Sequence, residues 1–323
     1  MTRARAGLLL ALHALGSASL PPSAASPTKP NIVFMLTDDQ DLVLDSMRAM
    51  SFATKFFGSG GASFSNAFAH TPVCCPSRGE VLTGRYLHNL KAADASVKSC
   101  MRLLVDDEFE GRVFGNSLQR AGYVTSMAGK YLNGKGVSHC PEPGGPRVEP
   151  PPGWDNYFVM CPDTCYVDCL MGDNGVAKWF NDTSFENGTN YAPSIIGNVT
   201  TAFIHDALSA PTSARKPFFA YTAVHSPHTP STPAPWYSHT YPFVRAPRTA
   251  SYNVSAPDHH WAVAAQPAID LLVELNMDVI ARHRLQTLLT VDDMVREIVE
   301  LVEGKGATDE TYFFFTSDHG FHM

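Results

Sequence analysis

Short runs that are apolar on both faces alternate along this chain with longer stretches of helical periodicity. Residues 31–37 (NIVFMLT) carry no polar alternation, the pattern of a strand buried on both sides. Residues 217–224 and 311–316 read the same way, and residues 123–127 read as a further strand. Helical spacing over residues 114–121 stops at Gly122. Residues 77–82 form a second predicted helix, opened by Pro76, which has no N–H to leave unpaired in a first turn. The longest predicted helix spans residues 278–303, with Leu285, Leu288, Met294, Val295, Ile298 and Val302 on its apolar face and Gly304 and Gly306 at its end. Residues 139–152 and much of 172–191 read as loop. No internal repeat stands out. Helices alternating with buried strands predict the α/β class with a largely parallel sheet.

In such sheets, sites form beyond the carboxyl ends of the strands. Four predicted strands run out into Asp38-Asp39, Lys130, His225 with His228, and Asp318-His319. Each has an ordinary reading alone: a solvated acidic turn, a surface lysine, loop histidines. Gathered on one sheet edge they predict chemistry, because clustered carboxylates suit a hard divalent cation. Cys74 lies just ahead of the helix that Pro76 opens, where the helix dipole favours negative charge, and Arg78 follows one turn on. A disulfide cysteine and a reactive cysteine fit that position equally well.

Composition narrows the classes. With 323 residues and 44% hydrophobic content, the chain can build one large α/β domain or two smaller ones. A net charge of -7 argues against nucleic-acid binding and against a broad basic groove. Residues 1–26 read as a secretory signal: Arg3 and Arg5, an apolar run over residues 8–15, then small residues such as Ala18 and Ala24. That run is too short for a transmembrane anchor. Removing the leader leaves 22 basic against 31 acidic residues. Sequons at Asn181, Asn187, Asn198 and Asn253 agree with secretion, and three of them within residues 181–200 predict an exposed, glycosylated segment. Seven cysteines imply disulfides with one thiol left over. Cys161, Cys165 and Cys169, four apart, have no accompanying ligand set and read as disulfide cysteines. Arg245, Arg248, Arg282 and Arg284 read as solvated surface charge.

Taken together, Cys74-Cys75-Pro76-Ser77-Arg78 and Leu82-Thr83-Gly84-Arg85 resemble the signature of the sulfatase family. Thr37-Asp38-Asp39-Gln40, Gly129-Lys130, Ser226-Pro227-His228 and Ser317-Asp318-His319-Gly320 follow in family order, so the resemblance spans residues 30–323. The double cysteine, residues 129–133 (GKYLN), His260-Trp261 and residues 285–293 are most similar to the N-acetylglucosamine-6-sulfatase branch, with arylsulfatases sharing much of the pattern.

The resemblance implies an alkaline-phosphatase-like sulfatase fold, a largely parallel central sheet flanked by helices, with residues 27–323 as its catalytic domain. It implies that Cys74 is oxidised to formylglycine by a formylglycine-generating enzyme, Cys75 being only a neighbour. One hydroxyl of the hydrated aldehyde would attack sulfur, and loss of a proton from the other would expel sulfate. Ca²⁺ would be held by Asp38, Asp39, Asp318 and His319 with the oxygen that replaces the Cys74 sulfur. Most family members have Asn where His319 stands. Arg78 would stabilise the hydrate, Lys130 and His228 would bind sulfate oxygens, and Asn133 and His88 are candidate substrate contacts. No role is assigned to His225. The family also supplies a later lysine, further strands and a C-terminal subdomain beyond residue 323. The chain is thus expected to be truncated and inactive or unstable, with Asp318-His319 on a frayed end. A sulfated carbohydrate or an aryl sulfate would be the substrate, in an extracellular or lysosomal setting. Competing readings are a metal-dependent phosphoesterase of the same broad fold and a non-catalytic sulfated-glycan binder.

Overall fold

The computed structural model describes residues 29–90, 107–134, 139–161, 164–181, 190–254 and 257–322. The expected leader and Asn187 lie outside the described residues. At the centre is β6 (Phe218–Pro227), buried along its whole length. Parallel neighbours flank it: β1 (Asn31–Asp38) on one side and β2 (Val124–Gly129) on the other. With β3 (Asn156–Met160) and β7 (Thr311–Ser317) also parallel, and β4 (Cys169–Asp173) and β5 (Val176–Phe180) each antiparallel to the strand before it, a seven-stranded sheet of order β5-β4-β3-β2-β6-β1-β7 results. The two-residue period of the strands divides the core. Val33, Met35, Phe218 and Ala220 face one layer; Leu36, Phe219 and Tyr221 face the other.

The first layer is built by α1 (Ser51–Gly60), α4 (Ala192–Ser209) and α5 (Leu271–Gly304). The second contains α2 (Cys74–Thr83) and α3 (Phe114–Arg120), packed with Trp154, Tyr131 and Tyr157. The predicted apolar face of α5 is buried, from Leu285 to Val302, and the helix begins seven residues earlier than its periodicity predicts. Asp270 caps that start by accepting from Val273 N–H. Asp292, buried on α5, accepts from the N–H groups of Phe52 and Ala53, both at 2.8 Å, so one carboxylate ties the start of α1 to α5. Among the described residues no helix is long and apolar enough to cross a membrane.

Residues 172–191 correct the loop reading. β4 (Cys169–Asp173) and β5 (Val176–Phe180) form an antiparallel hairpin through Asn174-Gly175, whose φ values of 47° and 82° are those a two-residue hairpin turn requires. Cys161, Cys165 and Cys169 are disulfide cysteines as expected, and the structure supplies the pairing, Cys140–Cys161 and Cys165–Cys169; Cys75 is disulfide-bonded, and Cys74 is free. Asn181 and Asn253 are exposed, as is Asn198 on the outer face of α4.

Candidate active site

Register decides which residues meet. Asp38 pairs alongside Pro227, Thr37 alongside Ser317 and Gly129 alongside Ala223, so the four chemistry-bearing strand ends finish level. Lys130 follows directly on Gly129, whose φ of 111° and close approach to the Ala223 carbonyl leave no room for a side chain. Asp39 takes a left-handed φ of 64°, held by its own N–H donating to Asp318 Oδ1 at 3.1 Å. Cys74 sits in the first turn of α2 rather than ahead of it, because the helix opens after an extended Val73 and begins three residues before the predicted start at Ser77. Left-handed Gly84 ends the helix.

Around Cys74 the contacts form one charged cluster. The thiol donates to Asp38 Oδ1 at 3.4 Å, and His319 Nε2 lies 3.4 Å from the sulfur. Lys130 Nζ donates to Asp38 Oδ2 at 2.5 Å. Arg78 reaches three partners: Asp318 Oδ2 at 3.0 Å, the Lys130 carbonyl at 2.8 Å and Asp38 Oδ1 at 3.6 Å. His319 Nε2 lies 3.3 Å from Asp39 Oδ1, and His228 Nε2 lies 3.8 Å from Asp39 Oδ2. Asp38, Lys130, Arg78 and Asp318 are all at most 2% exposed. Asp318-His319 is therefore packed and not frayed: Ser77 donates to the Asp318 carbonyl, and β7 is paired to β1 up to Ser317.

Electrostatics follow from this packing. Burial alone would raise Asp38, but Lys130 and Arg78 override it and hold the carboxyl far below the usual range. Asp318 goes the other way: burial and the neighbouring Asp38 charge push it up to about 6 despite Arg78. Burial and Asp38 likewise raise Asp39. Burial opposes charging of both imidazoles, yet contact with Cys74 and nearby carboxylates raises His228 and His319 to about 9. Burial also disfavours a Cys74 thiolate, but hydrogen bonds from His228 and His319 win and lower its pKa. In contrast, His225 is fully buried against Tyr166, and burial drives it down to about 3.

The donor set fits a divalent cation. Asp38, Asp39 and Asp318 bring three carboxylates to one place, with the Cys74 and His319 donor atoms among them. Cation side chains neutralise two of these carboxylates here, as burial of like charges demands.

Of the remaining predicted residues, Asn133 is half-buried three positions past Lys130. His88 is exposed and stacks with Tyr86, away from the cluster's contacts. Arg284 corrects the surface-charge reading. It is 2% exposed on α5 and donates to Asp41 Oδ2 at 2.6 Å, the Asp39 carbonyl at 2.7 Å and the Pro227 carbonyl at 3.3 Å. The signal for it was weak: an arginine one position before the apolar face of α5 begins.

Known proteins agree with this architecture. The human N-acetylglucosamine-6-sulfatase is 34% identical over 303 residues, 93% of this chain and 52% of that protein. An extracellular sulfatase SULF-1 homolog of Drosophila melanogaster is 31% identical over 96% of this chain and 27% of its own length. The chain thus spans about half, or less, of the length of these relatives. Among solved structures, BT4656 in complex with D-glucosamine-2-N,6-O-disulfate shares the fold with a TM-score of 0.58, at 19% identity over 91% of this chain and 66% of that one. The sulfatase family matches residues 30–323. That match spans every residue that lines the cluster, and the chain belongs to the sulfatase family.

Proposed function

We propose that this chain carries the catalytic unit of a sulfuric ester hydrolase that removes sulfate from a 6-sulfated glucosamine-type sugar. The observation that carries the reading is Cys74: a free thiol in the first turn of a helix, facing Asp38 and His319 and ringed by Arg78, Lys130 and His228. Similarity to the N-acetylglucosamine-6-sulfatases supports the substrate class.

In this reading Cys74 is converted to formylglycine, and Asp38, Asp39, Asp318 and His319 hold Ca²⁺. When present, formylglycine supplies the nucleophile and calcium supplies Lewis-acid stabilisation of charge on the sulfate group. Arg78, always charged, fixes Asp38 and Asp318 and sets positive charge beside residue 74. Lys130 and His228 bind sulfate oxygens, His228 holding a proton at Nε2 for the departing ester oxygen. The start of α2 adds a favourable dipole for the anion. Asn133 contacts the sugar, and the exposed ring of His88 offers it a more distant surface. A secretory leader over residues 1–26 and glycans on Asn181, Asn187, Asn198 and Asn253 complete the reading. Residues 27–323 form its catalytic domain.

The test is the full-length protein that contains this chain, produced together with a formylglycine-generating enzyme. Expected are the mass loss of thiol-to-aldehyde conversion at Cys74 and faster sulfate release from 6-sulfated N-acetylglucosamine than from an aryl sulfate. Phosphate-ester cleavage exceeding both would overturn the assignment. Preference for the aryl sulfate would keep the reaction class and reject the sugar.

A further inference from the structure

The turn that leaves β6 carries two histidines, and one tyrosine anchors both. His225 is fully buried, and neither of its ring nitrogens has a hydrogen-bond partner among the described residues. Packing therefore sets its place, and the ring of Tyr166 lies against it, with centroids 4.0 Å apart and planes at 60°. His228 is held through its backbone. Its N–H donates to the His225 carbonyl at 2.9 Å, and its carbonyl accepts from the Tyr166 hydroxyl at 2.8 Å. Ser231 adds its N–H at 3.0 Å and its hydroxyl at 3.3 Å to the same carbonyl. The Nδ1 of His228 faces the Thr229 carbonyl at 2.6 Å, so the direction of the ring follows the backbone of the turn.

Tyr166 is itself fixed from its own side. β4 runs antiparallel to β3, so the residues that lead into it lie at the carboxyl edge of the sheet, on the side of the cluster. The Cys165–Cys169 disulfide brackets Tyr166 in a loop with a sequence separation of 4. The Tyr166 carbonyl accepts from Ala192 N–H at 2.8 Å, and Val167 bridges to Tyr191. Tyr191 in turn donates from its hydroxyl to the Thr232 carbonyl at 2.9 Å. Two tyrosine hydroxyls thus reach the segment after β6 from paired stretches of chain. Burial pushes both hydroxyls up from the usual phenol range, so each stays a neutral donor.

A tyrosine that is 3% exposed touches no substrate, so its effect on the reaction passes through the histidines. We propose that Tyr166, clamped by the Cys165–Cys169 disulfide, is a positioning residue that fixes the turn from His225 to His228 and so aims the His228 imidazole at the cluster. The inference rests on the hydrolase reading, in which His228 Nε2 meets the substrate. The clamp acts across the sheet, because β3 and β2 separate β4 from β6. An ordinary core tyrosine stabilises the fold without choosing where an imidazole points. A hydroxyl that holds the His228 carbonyl does choose, since a reacting group is only as well placed as the residues that lock it.

The test uses the full-length protein that contains this chain, with rates normalised to the converted fraction of Cys74. Tyr166→Leu should lower kcat for 6-sulfated N-acetylglucosamine about 10²-fold, with KM within about twofold, the cost of a misplacement of about 1 Å. Tyr166→Phe keeps the ring against His225 and loses the donation to His228; it should recover part of that loss and stay about tenfold below the parent. Cys165→Ala/Cys169→Ala should lower kcat in the same direction by less than Tyr166→Leu, and parent-level kcat there overturns the part given to the disulfide. A purely structural tyrosine would lower the denaturation midpoint and leave kcat per folded, converted molecule at the parent value. That result in Tyr166→Phe overturns the proposal, even where Tyr166→Leu does not fold. Crystal structures decide independently of turnover: the His228 ring should be displaced in Tyr166→Phe and, by about 1 Å, in Tyr166→Leu, and rings that superimpose on the parent reject the inference. A parent that hydrolyses no sulfate ester would reject the hydrolase reading alone, because the crystal structures would still show whether Tyr166 places the ring.

Discussion

Arg78 and Arg284 are both buried: Arg78 grips the last residue of β1, and Arg284 grips the segment that follows it. Arg78, on α2, binds side chains: the carboxylates of Asp38 and Asp318, together with one carbonyl. Arg284, on α5, binds mainly backbone: the Asp39 and Pro227 carbonyls, with Asp41 as its counter-ion. The first sets the charge of the cluster, and the second sets the path of the chain that presents Asp39. Burying a guanidinium is tolerated in each case because every charge has a partner and most N–H groups have an acceptor. The difference teaches that a site needs two kinds of buried cation, one that faces the chemistry and one that never meets it.

The sharpest way to break this comparison is to remove each cation. Arg78→Met leaves Asp38 and Asp318 with too little positive charge, so a stability loss of about 3–5 kcal/mol is expected in denaturant titrations, with sulfate-ester hydrolysis abolished. Stability equal to the parent would show that the arginine is purely catalytic. Arg78→Lys keeps the charge but not the fork; turnover by the converted chain should fall about 10²–10³-fold while the fold survives. Arg284→Met strands Asp41 and two carbonyls, and a loss of about 3 kcal/mol is expected, with turnover of the folded fraction changed less than by Arg78→Lys. A larger kinetic than structural effect there would erase the distinction.

His225 extends the comparison to a buried base whose ring nitrogens have no hydrogen-bond partner among the described residues. Its folded pKa is driven down by burial to about 3 from an ordinary 6.5. Below pH 6.5 the unfolded chain therefore takes a proton that the folded chain refuses. The stabilisation present above that pH is lost as pH falls toward 3, by about 1.4 kcal/mol per pH unit. In His225→Phe that contribution should vanish from the pH dependence of the denaturation midpoint; an unchanged slope would refute it. The smallest effect is expected at Asp292→Ala, where loss of the carboxylate frees two N–H groups of α1. A decrease of about 1–2 kcal/mol is expected, with no change in turnover.

Much of the site was legible because a parallel sheet delivers the carboxyl ends of its strands to one edge. Asp38, Lys130 and Asp318 each follow a recognisable apolar run, and all three are in the cluster. The charge of Arg284 argued for solvent, and nothing local says that Asp41 and two carbonyls will meet it inside. The hairpin is a different miss. Asn174-Gly175 is a strong turn signal, but exposed Val176 and Trp179 with Lys178 on β5 hide the strand pattern around it. Helix α4 is a further miss: Pro193 near its start and Ile196, Thr200, Phe203 and Leu208 along one side carry a helical period that the sequence reading did not assign.

The sequence by itself determined the α/β class, the helix at Cys74 and the residue types at four strand ends, because these follow from local periodicity and chemistry. The tertiary structure alone decided that Cys74 is the free thiol and that Asp39 faces two imidazoles. It also made Arg78 and Arg284 structural opposites. Those outcomes depend on strand register and on which charges are buried together, and both arise only when segments some 240 residues apart come into contact.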